Sequence, residues 1–276
     1  MNSLIGFGTM HLTGTGVWGM PPDPPAAVRL LRRAYALGVR LFDSAWYYGP
    51  EVTHRLLREA FSPYPADLVL VTKVGNSRGV DRSWVPVLQP RQLVEGCSLD
   101  RRLLGVDSLP LVLLRWQPRV GDDEFFTEAF GCLLDLKRAG HIQSVGLSNV
   151  SLRHVQAAAE LCELGAVSNA FSVTSQRDID VLRWCTARGV TFLPYYPLMG
   201  GDAVRRPAVL RASRELGLSP AQVALAWLVA QSPVMVPIPG TRDAGHLEDN
   251  ITAVQTRLPP ETLEQLSSGM QGGRLY

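Results

Sequence analysis

Short, almost continuously apolar runs alternate with longer amphipathic runs along the chain. The short runs are rich in Val, Leu and Ile, which is typical of strands that are buried on both faces of a parallel sheet. We predict eight such strands, at residues 4–9, 40–44, 68–74, 111–116, 144–148, 166–171, 190–196 and 234–239.

The amphipathic runs between these strands predict helices. Apolar side chains recur every three or four positions in residues 26–39, and the run closes at Gly38. Proline stands near the predicted start of the helices over residues 90–106 and 219–231, where its missing N–H is tolerated. Strand and helix alternating eight times, without a low-complexity linker, predict one (β/α)8 TIM-barrel domain over residues 1–276.

The structural alternative is a doubly wound open sheet. Such a sheet usually carries a G-x-G-x-x-G phosphate loop after its first strand, and the corresponding segment here, GFGTMHLTG, does not match that pattern.

Composition mainly excludes other classes of protein. Hydrophobic residues make up 46% of the chain and charged residues 19%, which is ordinary for a soluble globular protein. The net charge is +2 with no basic stripe, so we expect no nucleic-acid partner. No apolar run reaches about 18 residues and no leader pattern is present, so we expect a cytoplasmic protein without a membrane partner.

The four cysteines lie singly in runs predicted as helices, without a C-x-x-C pair, at Cys97, Cys132, Cys162 and Cys185. This distribution predicts small buried side chains in a reducing compartment and no metal site.

Polar residues at the predicted strand ends are the candidates for chemistry, because a barrel builds its active site at the C-terminal ends of its strands. Asp43 and Lys73 end neighbouring predicted strands, and Tyr48 follows Asp43 by five residues. An ammonium beside a phenol favours phenolate, so we expect the Tyr48 pKa to fall from about 10 toward the range of a general acid. A structural ion pair beside a packed tyrosine would give the same spacing.

Three further segments carry a family resemblance: GLSN at 146–149, YYPLMGG at 195–201 and IPGTRDAGHLEDN at 238–250. Together with Asp43, Tyr48 and Lys73, and in this order over essentially the whole chain, they resemble the aldo-keto reductase superfamily. The resemblance implies a (β/α)8 barrel, a nicotinamide cofactor bound extended without a Rossmann fold, and carbonyl reduction. It makes Tyr48 the proton donor, with Lys73 tuning it and Asp43 holding Lys73.

The resemblance also implies a set of cofactor contacts. Ser148 and Asn149 would bind the carboxamide, Tyr195 would stack on the nicotinamide ring, and residues 198–201 would follow the pyrophosphate. The full set is Thr9, Met10, Ser148, Asn149, Ser168, Tyr195, Pro197, Leu198, Gly200, Gly201, Gly240, Thr241, Arg242, His246, Asp249 and Asn250.

The end of this set predicts which nicotinamide cofactor is used. Thr241 and Arg242 stand where the family binds the adenosine 2′-phosphate, which favours NADPH because a cation beside a phosphate is stabilising. Asp249 and Asn250 stand where the family holds the adenine. His246 replaces a common second arginine, so NADH stays open as an alternative cofactor.

Two other departures from the family pattern concern one cofactor contact and the bottom of the barrel. Ser168 stands where a glutamine usually completes the carboxamide contacts, and its shorter side chain would need a bridging water. The chain reaches its first predicted strand almost at once, so we expect the β-hairpin that commonly plugs the bottom of the barrel to be reduced or absent.

Arg115, at the end of the run LPLVLLRWQP, replaces the histidine that usually orients the substrate carbonyl in this family. GFGTMHLTGTGVWGMPPD and YYGPEVTHRLLREAF make the chain similar to a bacterial branch that resembles pyridoxal reductases. An arginine could polarise a carbonyl oxygen, lower the Tyr48 pKa or hold an anionic group, but it cannot act as a base. The alternative is a salt bridge from Arg115 to Asp43.

Four aromatic residues are predicted to wall a flat substrate pocket: Trp18, Trp46, Tyr47 and Trp116. The leading hypothesis is NADPH-dependent reduction of an aldehyde or ketone, with pyridoxal or another aromatic carbonyl as the substrate. The alternatives are a specialised-metabolism reductase acting on a ketone, imine or conjugated C=C, and a catalytically idle nicotinamide-nucleotide sensor. We expect a monomer or a weak homo-oligomer.

Overall fold

The computed structural model of the chain describes residues 5–117 and 123–268. Its strands are β1 (Gly6–Gly8), β2 (Leu41–Asp43), β3 (Val69–Val74), β4 (Asn76–Arg78), β5 (Trp84–Pro86), β6 (Leu109–Arg115), β7 (Ile142–Ser148), β8 (Ala166–Ser168) and β9 (Thr191–Phe192). Its helices are α1 (Pro24–Ala36), α2 (Val52–Phe61), α3 (Pro90–Leu104), α4 (Asp123–Arg138), α5 (Leu152–Leu161), α6 (Ile179–Arg188), α7 (Asp202–Arg205), α8 (Pro207–Leu216), α9 (Pro220–Ala230), α10 (Ala244–Ala253) and α11 (Pro260–Ser268).

The principal sheet is parallel throughout, in the order β1-β2-β3-β6-β7-β8-β9. Each strand pairs with the next one along the chain apart from the small antiparallel hairpin β4–β5, and helices connect the strands. This is the succession of strand–helix–strand crossovers that the alternation of apolar and amphipathic runs predicts.

The eighth predicted strand, residues 234–239, closes the sheet into a barrel. The Phe192 N–H donates to the Val234 carbonyl at 2.8 Å, and the Gly6 and Gly8 N–H groups donate to the carbonyls of Pro237 and Pro239. Because the two prolines have no N–H, this segment cannot complete a regular ladder, and it forms only an isolated bridge to β9. The predicted (β/α)8 barrel is therefore confirmed, with β1 following directly on Ile5.

Capping residues set the ends of several barrel helices. Asp23 accepts a hydrogen bond from the Ala26 N–H at 2.8 Å at the start of α1, where Pro24 is the first helical residue. The Ser219 side chain caps α9 in the same way by accepting from the Gln222 N–H. These are the N-terminal signals of serine, aspartate and proline that the sequence carries.

Alternation along the strands sorts the core into two layers. In β6, Leu111 and Leu113 point into the barrel, whereas Val112 and Leu114 point out toward the helices. Leu41 in β2 and Val71 in β3 belong to the same inner layer. The next inward positions are polar: Asp43 follows Leu41, Lys73 follows Val71 and Arg115 follows Leu113 in the alternation. The charged groups thus form the top layer of the barrel interior.

The hairpin β4–β5 was not predicted. It follows β3 directly and covers one side of the barrel mouth, with Asn76 paired to Pro86 and Arg78 to Trp84. The Arg78 guanidinium lies 4.2 Å from the Trp84 ring centroid and donates to the Val17 carbonyl at 2.9 Å. It therefore joins the hairpin to the loop that follows β1.

Candidate active site

The ends of β2 and β3 bring together two of the predicted catalytic residues. Lys73 Nζ lies 2.5 Å from Asp43 Oδ1, and both side chains are buried. Burial raises the pKa of the Asp43 carboxyl, while Lys73 works in the opposite direction. Lys73 Nζ also lies 5.3 Å from the centroid of the Tyr48 ring, so all three residues meet in one place.

The expected fall in the Tyr48 pKa is wrong for this structure. The side chain is only 8% exposed, and burial raises the pKa of its phenol above the ordinary value. The Asp43 carboxylate raises it further, and Arg115 only partly opposes the two. Because Asp43 is paired with Lys73, its carboxylate offsets part of the ammonium charge that would otherwise lower the pKa of the phenol. Tyr48 is therefore held in its protonated form, the form that a proton donor requires.

Arg115 is the last inward residue of β6 and lies at the edge of the same cleft. Its guanidinium carbon is 5.5 Å from the centroid of the Tyr195 ring. With the amide oriented to satisfy its neighbours, Asn76 accepts a hydrogen bond from Arg115 Nε at 2.9 Å. Within the described part of the chain no carboxylate forms an ion pair with Arg115, and Asp43 is paired with Lys73. The alternative of a salt bridge from Arg115 to Asp43 is therefore wrong.

These groups open into a concave cleft with a cavity volume of about 220 Å³. The lining residues are Gly8, Met10, His11, Asp43, Tyr47, Tyr48, Lys73, Asn76, Trp84, Arg115, Gln117, Tyr195, Tyr196, Pro197, Ile238 and Gly240. Seven of these residues were missed from the sequence: Gly8, His11, Asn76, Trp84, Gln117, Tyr196 and Ile238. Gln117 was accessible to prediction, because alternation along the chain places it on the same side as Arg115.

The four predicted wall aromatics do not share one place. Tyr47 lines the cleft, in edge contact with the Tyr48 ring at 5.2 Å between centroids. Trp46 contacts Tyr47 but lines a separate small pocket beside α3. Trp18 lies against Arg78 at the mouth, with 5.3 Å between the guanidinium carbon and the ring centroid.

Trp116 is corrected from a pocket residue to a core residue. It is 1% exposed and packs against Phe126 of α4, with 5.1 Å between ring centroids. The reason is alternation, since the residue after the inward-pointing Arg115 must point outward to the helix layer. Trp84, on the unpredicted hairpin, contacts Tyr47 and Tyr48 edge-on across the cleft.

Two buried hydroxyl groups fit the carboxamide end of a nicotinamide. Arg115, Ser148 and Ser168 are paired positions on β6, β7 and β8. Ser148 Oγ and Ser168 Oγ are both buried without a hydrogen-bond partner in the protein, which is costly unless a ligand satisfies them. Asn149 instead uses its side chain internally, donating to the Trp116 carbonyl at 2.8 Å and accepting from the Tyr195 hydroxyl at 3.0 Å.

A second, shallower cleft continues the first toward the predicted adenosine 2′-phosphate site. It is lined by Gly240, Thr241, Arg242, Asp243, His246 and His11, and it shares His11 and Gly240 with the main cleft. Burial and the nearby Arg242 both lower the pKa of the His11 imidazole. The two clefts together form the extended groove that an extended dinucleotide needs. The residues present therefore fit the cofactor that the sequence predicts.

Other predicted cofactor residues are placed as follows. The Thr9 hydroxyl donates to the Asp43 carbonyl at 2.9 Å and lies in the interior. Asp249 accepts from Gln222 at 3.3 Å, and Asn250 is buried on α10. Gly200 and Gly201 both have positive φ angles, which allow the sharp turn after Leu198.

Within residues 5–117 and 123–268, no group of three or more His, Cys, Asp or Glu side chains is arranged to hold a metal ion. In the same part of the chain, no helix has the length and apolarity that a membrane span requires.

Comparison with known proteins identifies the family. Residues 4–269 match the model of the aldo/keto reductase family. The chain belongs to the aldo/keto reductase family. It is therefore an oxidoreductase of the aldo/keto reductase type, as the strand-end residues and the three family segments predicted.

Individual relatives agree with this assignment. The chain is 36% identical over 267 residues to a pyridoxine 4-dehydrogenase of Escherichia coli, covering 95% of this chain and 93% of that one. It is 36% identical over 264 residues to an uncharacterized oxidoreductase of Schizosaccharomyces pombe, covering 95% and 85% of the two chains.

Solved structures support the fold. A thermostable aldo-keto reductase in complex with the inhibitor epalrestat superposes with a TM-score of 0.81 at 24% identity, over 96% of this chain and 94% of that one. An aldo-keto reductase from Klebsiella pneumoniae in complex with NADPH superposes with a TM-score of 0.78 at 22% identity, over 95% and 89%.

Proposed function

We propose that this protein reduces an aromatic aldehyde with NADPH, and that pyridoxal is its substrate. The observation that carries the proposal is the meeting of Tyr48, the Asp43–Lys73 pair and Arg115 at one end of an extended groove. A hydride donor supplied at this end of the groove would reduce a carbonyl carbon, and the protein must then protonate the oxygen.

Tyr48 is the proposed proton donor. Its phenol lines the cleft and is held protonated by its raised pKa, so it has a proton to give at neutral pH. Lys73, fixed by Asp43, stabilises the phenolate that remains after the proton leaves. Asp43 thus acts through Lys73 rather than on the substrate.

Arg115 is the proposed substrate-orienting residue. It is a permanent cation, and its donors lie at the same edge of the cleft as Asn76 and Gln117. An array of this kind polarises a carbonyl oxygen or holds an anionic oxygen beside it on a planar ring. A hydroxyaldehyde such as pyridoxal presents both groups on one aromatic ring.

Residues of the groove and of the neighbouring strand ends support NADPH as the cofactor. Ser148 and Ser168 offer unpartnered hydroxyls to the carboxamide, Tyr195 offers its ring to the nicotinamide, and Arg242 offers a cation to the 2′-phosphate. NADPH is also the ligand named for the solved structure from Klebsiella pneumoniae.

The relative from Escherichia coli supports the choice of substrate. It is named as a pyridoxine 4-dehydrogenase, and hydride transfer in the opposite direction at that carbon would reduce pyridoxal. Tyr47 and Trp84 give this cleft aromatic walls that suit a planar pyridine ring.

The test is NADPH absorbance on mixing the purified protein with pyridoxal, with Tyr48→Phe run beside the wild type. We expect oxidation of NADPH by the wild type and its loss in the variant. If NADPH binds, as seen by its fluorescence, but none of the aldehydes tested causes its oxidation, the proposed reaction is overturned. Oxidation with another carbonyl, imine or conjugated C=C substrate, but not with pyridoxal, would overturn only the choice of substrate.

A further inference from the structure

A fully buried chain of polar side chains lies behind the loop that carries Tyr48. His54 of α2 and Asp100 of α3 are both 0% exposed, and His54 Nε2 lies 2.8 Å from Asp100 Oδ1. The other ring nitrogen, His54 Nδ1, lies 3.1 Å from Ser44 Oγ. Each ring nitrogen therefore lies close to a side-chain oxygen, and none of these three residues lines the cleft.

The chain ends at the Asp43–Lys73 pair. Ser44 follows Asp43 directly, and its carbonyl accepts a hydrogen bond from Lys73 Nζ at 3.4 Å. The Ser44 hydroxyl also donates to Thr53 Oγ1 at 2.9 Å, and Thr53 donates to the Ala45 carbonyl at 3.2 Å. The start of α2 thus holds the first two residues of the loop from one side.

The Asp100 end touches the same loop and the neighbouring strand. Burial raises the pKa of the Asp100 carboxyl, whereas His54, the Thr72 hydroxyl and the Trp46 backbone amide all work to lower it. Thr72 immediately precedes Lys73 in β3, and Trp46 lies two residues before Tyr48. Asp100 therefore faces the two segments whose spacing sets the Lys73–Tyr48 contact.

A buried pair of this kind adds little net stability, because the cost of removing its charges from water offsets their attraction. Its effect is expected in geometry, since a shift of about 1 Å in a catalytic group can lower the rate about a hundredfold. We propose that His54 and Asp100 are positioning residues, which hold the Ser44–Tyr48 loop against β3 so that Tyr48 reaches the substrate beside Lys73. This inference rests on the proposed function of Tyr48.

The test compares two substitutions of Asp100. Asp100→Ala interrupts the series of buried polar side chains. We expect kcat with pyridoxal to fall about tenfold or more, while the Kd for NADPH stays within about twofold of the wild-type value. Asp100→Asn also removes the charge, but its amide can donate a hydrogen bond to His54 Nε2 and so keep the series of polar side chains connected. We therefore expect Asp100→Asn to restore kcat to within about threefold of the wild type.

Tyr64→Phe, in the segment that follows α2, is the matched control. It removes one hydrogen bond, from the Tyr64 hydroxyl to the carbonyl of Leu104 at the end of α3, with a length of 2.9 Å. We expect kcat to be unchanged. Ser44→Ala interrupts the same series of polar side chains at its other end, because it removes one hydroxyl. A lower kcat in that variant therefore supports the inference even if Asp100→Ala does not fold.

Amide hydrogen exchange, followed by mass spectrometry, gives a readout that does not depend on activity. We expect faster exchange over residues 44–48 in Asp100→Ala and restored protection in Asp100→Asn. Unchanged exchange in that segment, or equal loss of kcat in the two Asp100 variants, would overturn the inference. If the wild type reduces no aldehyde, the proposed function is wrong. The exchange comparison would still decide whether His54 and Asp100 hold the Ser44–Tyr48 loop.

Discussion

At the scale of single residues, Arg115 is explained by its place in β6. It continues the inward series of Leu111 and Leu113, so its charge reaches the top of the barrel interior where the cleft begins. The sequence predicted the strand end and the charge. It could not predict Asn76 as a partner, because that contact joins residues 39 positions apart through an unpredicted hairpin.

Removal of the Arg115 guanidinium tests its role. We expect Arg115→Met to lower kcat/KM for pyridoxal roughly a hundredfold, which is typical of losing one preorganised donor at the reacting oxygen. Arg115→Lys keeps the charge but lacks the planar guanidinium, so its kcat/KM should lie between those of the wild type and Arg115→Met. Steady-state kinetics measure this, and near-wild-type values in both variants would contradict it.

We propose that Arg242 sets the preference for NADPH over NADH. Loss of a charge-assisted hydrogen bond to a phosphate should raise the Kd for NADPH about tenfold in Arg242→Ala, while the Kd for NADH stays unchanged. Fluorescence titration of the two cofactors measures both values. Equal weakening of NADPH and NADH binding would show that Arg242 does not contact the 2′-phosphate.

Two errors at the residue scale concern the Tyr48 pKa and the place of Trp116. Sequence spacing placed Lys73 near Tyr48, but it could not show that Asp43 offsets part of the ammonium charge or that burial dominates the Tyr48 pKa. It likewise placed Trp116 beside Arg115 without applying alternation to its side chain. Burial is a property of the packed molecule, so charge and proximity alone mislead.

At the scale of elements, the strands were predicted well because parallel strands buried on both faces are continuous apolar runs. The eighth run was correctly placed, although its prolines leave it with only an isolated bridge. The hairpin β4–β5 was missed because its strands are three residues each and β5 is exposed. Such a short exposed pair has no hydrophobic pattern to detect.

The hairpin nevertheless contributes a wall of the cleft through Trp84. Its ring lies 5.8 Å from Tyr47 and 6.4 Å from Tyr48 between centroids, both edge-on. We expect Trp84→Ala to raise KM for benzaldehyde about three- to tenfold and to leave KM for propionaldehyde nearly unchanged, since only the aromatic ring gains ring–ring contacts. Equal changes for both aldehydes would indicate a general disturbance of the cleft.

At the scale of the whole molecule, we propose that the chain is one domain. The segment at 234–239 joins β9 to β1, so the first and last parts of the barrel stabilise each other directly. We expect circular dichroism and tryptophan fluorescence to report one coincident urea transition. Two separated transitions would show that the barrel halves unfold independently.

The most direct test of the account is a pH profile of pyridoxal reduction by the wild type, Tyr47→Phe and Tyr48→Phe. A proton donor loses activity only as pH rises through its pKa, and the Tyr48 pKa is raised, so we expect a wild-type plateau from neutral pH to about pH 9. Tyr48→Phe should lose about a hundredfold or more in kcat, and Tyr47→Phe only a few-fold. Turnover retained in Tyr48→Phe, or lost in Tyr47→Phe instead, would contradict the assignment of Tyr48 as the proton donor.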